Sequence, residues 1–145
     1  MARVTRAAYA EAFAAIAGRP LVQLPQTPGR SESEIFFDAL ALNGVDMRNG
    51  GPAEGLLEPF SAELAAALQA RSEDLAGQGQ ALPGAAEALG AVAKLDGAVQ
   101  SVFTGNSRPT AVLKLRAFGL DGYVRSEEHT SELQSPVLIS YAVFG

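Results

Sequence analysis

Apolar residues recur at helical spacing from Thr5 to about Gln78, and only later does the pattern tighten into a strand-like run. Thr5 is placed to cap a first helix, in which Tyr9, Phe13 and Ile16 form a single stripe and which Gly18 and Pro20 end. The turn formers Leu24 to Arg30 then make a loop. Ser31 and Glu34 supply a Ser-x-x-Glu capping box ahead of Ile35, Phe36, Ala39 and Leu40, and Asn43-Gly44 stops that second helix. Beyond a loop at Asn49-Gly50-Gly51-Pro52, Leu57, Phe60, Leu64, Leu68 and Leu75 share one face of a third helix. Pro59 marks its first turn or a break near its start.

Gly77-Gln78-Gly79-Gln80 reads as a hinge, after which the pattern changes. Pro83-Gly84 re-initiates structure, and Ala85, Leu89 and Val92 make a short helical stripe. Ala98 to Phe103 is a strand, followed directly by Thr104-Gly105-Asn106. A helix beginning near Pro109 carries Val112, Leu115 and Phe118 and closes at Gly119, and Tyr123-Val124 begins a second strand. Strand, turn, helix and strand in this order predict a parallel βαβ unit, so the expected class is α/β.

Composition narrows the chemistry. The 145 residues carry 11 basic and 16 acidic side chains, a net charge of −5, with no cysteine. This mildly acidic, mixed surface lacks a footprint for nucleic acid or an anionic membrane. The absence of cysteine excludes a disulfide scaffold and a thiolate metal site. No leader-like apolar stretch opens the chain and no run approaches membrane-spanning length, so the expectation is a cytoplasmic protein.

The end of the chain stands apart. Arg125 to Ser135 (RSEEHTSELQS) and Ile139 to Phe144 (ISYAVF) resemble one reading frame of a common sequencing adapter, with Pro136, Val137 and Leu138 at its variable index. On that reading residues 125–145 are non-native and are excluded from the reading of the fold. The alternative is a natural polar segment followed by a short apolar strand. The only histidine, His129, lies in this stretch, so histidine catalysis or ligation has no support elsewhere.

The strand that runs into Thr104-Gly105-Asn106, followed by Lys114-Leu-x-x-x-Gly-Leu120, resembles motif II of the haloacid dehalogenase-like (HAD) hydrolases. Leu82-Pro83-Gly84 is similar to the segment by which such chains return from a helical cap to the catalytic core. The resemblance covers residues 1–124, with the helical region Thr5 to Leu75 corresponding to the cap as in phosphoglycolate-phosphatase-like members. The resemblance implies a helical cap domain at 1–78 and a partial Rossmann-like core at 79–124. It also implies a phosphomonoesterase working through an aspartyl-phosphate with Mg²⁺, on a small phosphorylated metabolite.

A hydroxyl at a strand end, a glycine turn and a helix N-terminus together suit phosphoryl oxygens. By resemblance, Thr104 would hydrogen-bond the phosphoryl group, Gly105 would let the backbone approach it closely, and Asn106 would orient a neighbour or the substrate. Arg108 at the helix start would reach the phosphate, and Arg30 in the cap loop would select substrate. The plain readings stand beside these: a helix cap at 104–106 and ordinary surface charges at Arg30 and Arg108. Lys114 reads as a solvated helix lysine, Asp96 and Asp121 as turn residues, and Tyr9, Phe13, Phe36 and Phe60 as cap core. The family's Asp-x-Asp nucleophile has no counterpart in Met1-Ala2-Arg3-Val4, and its later lysine and metal-binding acids fall where residues 125–145 stand. The expectation is a HAD fragment, truncated at both ends and inactive by itself. The competing expectations are a small helical interaction module and a truncated product without function.

Overall fold

The computed structural model describes residues 2–45, 53–124 and 137–140. Helix α1 spans Ala2–Ala17, α2 Glu32–Leu42, α3 Ala53–Gln69, α4 Ser72–Gln78, α5 Ala85–Val92 and α6 Arg108–Ala117. Strand β1 is Ala98–Ser101, and a 3₁₀ turn at Asp121–Tyr123 follows α6. The described residues are mainly helical. The loop at 49–52 and His129 lie outside them.

The first core grows from the stripes on α1, α2 and α3. Phe13, Phe36 and Phe60 are each 0% exposed. The rings of Phe36 and Phe60 stack with centroids 4.1 Å apart, and Tyr9 meets Phe60 edge-on at 4.9 Å. Aromatic pairs in these arrangements add roughly 0.5–1.5 kcal/mol beyond their burial. Leu40, Leu64 and Leu68 complete the cluster. The Ser31–Glu34 capping box forms as the sequence predicts, with the Glu34 carboxylate accepting from the Ser31 N–H at 2.8 Å. Asn43 caps the other end of α2, and its amide also stitches the preceding loop down. Its Oδ1 accepts from the Val22 and Gln23 N–H groups at 2.8 and 3.0 Å, while its Nδ2 donates to the Gln23 carbonyl at 2.7 Å.

Several boundaries differ from expectation. Thr5 is not an N-cap: α1 starts at Ala2, because the residues ahead of Thr5 are themselves helix-compatible. The third helical stretch divides into α3 and α4 around Ala70–Arg71, and Arg71 is tied there to Ala67 and to Glu11 of α1. Pro59 sits inside α3, where it forgoes one backbone bond. Gly55, whose carbonyl it leaves unbonded, and Pro59 itself both lie on the exposed face, so water can serve that group. The hinge begins later than Gly77, since α4 runs to Gln78.

The second half holds a smaller cluster of Leu89, Leu115 and Leu120 beneath β1. Gln100, only 3% exposed in the middle of that strand, ties it together. Its Nε2 donates to the Leu89 carbonyl at 2.9 Å and to the Tyr123 carbonyl at 3.1 Å. Strand β1 stops at Ser101 rather than Phe103, and Phe103 is 89% exposed. Tyr123-Val124 does not begin a strand: Tyr123 closes the 3₁₀ turn and Val124 follows it. The partner of β1 is β2, Val137–Ser140, paired in parallel with Ala98 opposite Val137 and Ser101 opposite Ser140. Four residues of the adapter-like segment thus pair with β1. The physical reason is that Val-Leu-Ile-Ser is a β-forming run and an unpaired parallel edge has ladder groups to satisfy. These two strands fall short of a Rossmann-like sheet.

Candidate functional site

Thr104-Gly105-Asn106 leads from β1 toward α6 and docks against the start of α2. Gly105 is required here because its backbone lies against another stretch of chain. A Cβ at this position would stand 2.5 Å from the Arg30 carbonyl oxygen and 3.1 Å from the Ser31 Cα. The Gly105 carbonyl accepts from the Glu32 N–H at 2.6 Å. The close approach is therefore to the α2 cap.

Glu32 holds this junction. It is 8% exposed, although it stands in the first turn of a helix, where sequence alone suggests a solvated acid. Its Oε1 accepts from the Ser61 hydroxyl of α3 at 3.1 Å, and its Oε2 accepts from the Ser107 N–H at 3.3 Å. Ser107 is the N-cap of α6. A carboxylate of the chain itself thus sits at the positive end of α6, the position that the resemblance assigns to a phosphate.

From there a polar relay runs along the loop. The Lys114 ammonium donates to Asn106 Oδ1 at 2.6 Å, and Asn106 Nδ2 donates to Thr104 Oγ1 at 2.7 Å. The Asn106 N–H also reaches Thr104 Oγ1, at 3.2 Å. Lys114 is thus half-buried and engaged, which corrects its reading as a solvated helix lysine. The cause is position: two turns into α6 it lies on the face that packs toward α3 and Glu32. Burial lowers its pKa below the usual 10.5, and the Glu32 charge partly opposes that shift.

The predicted site residues divide between two clefts. Arg30, Gly105 and Asn106 border a cavity of about 500 Å³ together with Tyr9, Glu32 and Lys114. Thr104 and Arg108 border a second cleft of about 470 Å³, and Asn106 reaches both. The Arg30 guanidinium is held at the rim by Asp38 at 2.8 Å. Asp121 lies in the 3₁₀ turn and pairs with Arg116 at 3.2 Å.

Tyr9 packs in the core as expected, but its hydroxyl is buried without a hydrogen-bond partner. Burial, and then the Glu32 charge, push its pKa well above the ordinary tyrosine value. Glu32, Ser61, Lys114 and the Tyr9 hydroxyl were not identified from sequence, and no spacing in the chain distinguishes them. They meet through helix packing. Among the described residues no group of three or more His, Cys, Asp or Glu side chains converges. No helix among the described residues is long and apolar enough to cross a membrane.

No family model, no curated protein and no solved structure matches the chain.

Proposed function

We propose that this chain is part of a HAD-type hydrolase, a phosphomonoesterase of the phosphoglycolate-phosphatase-like kind that acts in its complete form through an aspartyl-phosphate with Mg²⁺ on a small phosphorylated metabolite in the cytoplasm. The observation that carries the reading is the strand–Thr104-Gly105-Asn106–helix unit, packed against a helical bundle. Helical bundle and unit would be the cap and a partial Rossmann-like core. In this reading Thr104 and Arg108, which share a cleft, serve the phosphoryl group, while Asn106 links that cleft to the cavity bordered by Arg30. The chain contains no Asp-x-Asp sequence. Nucleophilic and metal-assisted steps each supply a large part of such a rate enhancement, so the polypeptide alone should be inactive.

A second reading has an observation of its own. Thr104 Oγ1 already accepts two bonds from Asn106, and Glu32 already occupies the α6 N-terminus. Both favour a structural turn in a small helical interaction module.

Long-read sequencing of the source locus across the codons for Met1 and Arg125 separates the two. An upstream Asp-x-Asp in frame, with a lysine and an acidic pair downstream, supports the hydrolase. A locus encoding only this chain, tail included, contradicts it. The purified chain assayed with p-nitrophenyl phosphate and Mg²⁺ should show no turnover. Turnover abolished by Thr104→Ala would overturn the assignment of inactivity.

A further inference from the structure

We propose that the cavity between α1, the loop before α2, and α6 takes a small oxoacid, with Lys114 joined to its carbonyl carbon as an imine. An oxoacid here is a carboxylate that also carries an aldehyde or ketone. The proposal is independent of the phosphatase reading, because it uses neither a phosphoryl group nor the cleft bordered by Thr104 and Arg108.

The lining of this cavity is net positive. Arg6, Arg30 and Lys114 border it against one carboxylate, Glu32. Both Glu32 oxygens are engaged, one by the Ser61 hydroxyl and the other by the Ser107 N–H. The Arg30 guanidinium is shared with Asp38. Arg6 is exposed, and among the described residues no ion pair holds it. The balance favours an anion, and a planar guanidinium meets a carboxylate with two parallel N–H groups. A cavity of about 500 Å³ has room for such a ligand.

The same wall presents an amine. Lys114 is half-buried, and its Nζ is fixed by donating to Asn106 Oδ1 at 2.6 Å. Asn106 is fixed in turn on Thr104 Oγ1. An uncharged amine that gives one N–H to Asn106 keeps its lone pair for a carbon electrophile. Burial favours that uncharged form, and the Glu32 charge opposes it in part. Lysines that form Schiff bases with carbonyl compounds are activated in this way. Lys94, the other lysine of the chain, is exposed beyond the end of α5.

The chemistry balances without an oxidant or reductant. The Nζ lone pair attacks the carbonyl carbon, a C–N bond forms, and a proton passes from nitrogen to oxygen to give a carbinolamine. Its hydroxyl then leaves as water as the C=N bond forms. One water is released, and hydrolysis reverses the step. The ligand carboxylate stays on Arg6.

The test incubates the full chain with glyoxylate and sodium cyanoborohydride, which delivers hydride to the imine and leaves a carboxymethyl group on the amine. Peptide mass spectrometry reads the adduct at each lysine, and Lys94 serves as the internal comparison. Labelling of Lys114 should saturate with glyoxylate concentration. It should run at least about tenfold faster than at Lys94, the effect of one charge-assisted contact. Acetaldehyde, which has the aldehyde and no carboxylate, should lose most of that preference. Arg6→Gln, at an exposed position, should leave thermal melting unchanged and slow glyoxylate labelling of Lys114 about fivefold or more. Its acetaldehyde labelling should match wild type. The proposal is overturned if Lys94 is labelled as fast as Lys114, if acetaldehyde shows the same preference as glyoxylate, or if Arg6→Gln reacts with glyoxylate as wild type does.

Discussion

The two halves of this molecule are stabilised by different means. Residues of α1, α2 and α3 interlock through Phe13, Phe36 and Phe60, all fully buried, with the aliphatic side chains of two helices around them. The half built on β1 and α6 has four buried apolar residues among those described, Leu89, Val99, Leu115 and Leu120, and two buried polar ones, Gln100 and Thr110. The first half draws on apolar area, which is non-directional and tolerant of small shifts. The second depends on a few directed bonds, from Gln100 to two carbonyls and from the Ser107 N–H at the start of α6 to Glu32. Its candidate cavity lies where the two halves meet, so its geometry depends on the weaker half. Regions with few apolar contacts open more readily than the core they adjoin.

The comparison can be broken at both ends. Phe60→Ala should cost roughly 3–5 kcal/mol and lower the whole unfolding transition in urea. Leu89→Ala should cost nearer 2 kcal/mol and be read mainly as faster amide exchange in β1 and α6. Gly105→Ala is the next largest effect. Its Cβ would stand 2.5 Å from the Arg30 oxygen, so the loop must move off α2, at a cost of roughly 1–3 kcal/mol. Amide shifts at Glu32 and Ser107 should report that separation while the α1–α3 core keeps its spectrum.

Gln100→Leu should cost about 2 kcal/mol, because it deprives the Leu89 and Tyr123 carbonyls of their donor inside the smaller cluster. The smallest effect is at the cap of α2. Ser31→Ala should cost about 1 kcal/mol, measured by thermal melting at neutral pH. The Ser31 N–H, then its hydroxyl, hold the Glu34 carboxyl below its ordinary value of 4.5. A carboxylate lowered in the folded state contributes stability above the unfolded value and loses it as pH falls through the folded one. The cost of Ser31→Ala should therefore shrink as the pH is taken below 4.5.

What was legible in the sequence follows the same division. The stripe Tyr9, Phe13 and Ile16, the Ser31–Glu34 box and the Asn43-Gly44 stop are local signals, repeated over several turns, and they predict α1 and α2 closely. The βαβ order placed β1, Thr104-Gly105-Asn106 and α6, but it put the second strand at Tyr123-Val124. A four-residue strand is decided by which edge needs a partner, and Val137–Ser140 meets that need. The cavity was least legible. Arg30, Gly105 and Asn106 border it, but Glu32 and Lys114 become site residues only because packing buries them. A carboxylate after a serine cap and a lysine inside a helix look the same in sequence whether solvated or enclosed.

Native-state hydrogen exchange, read residue by residue on the intact chain, tests the division of stability most directly. The account predicts that the amides of Phe13, Phe36 and Leu64 exchange only through global unfolding. Those of Val99 to Ser101 and of α6 should exchange through a smaller opening that leaves the helical core closed. Uniform protection, with Ala98 to Val124 matching α1 and α3, would contradict it and make the whole molecule one cooperative unit.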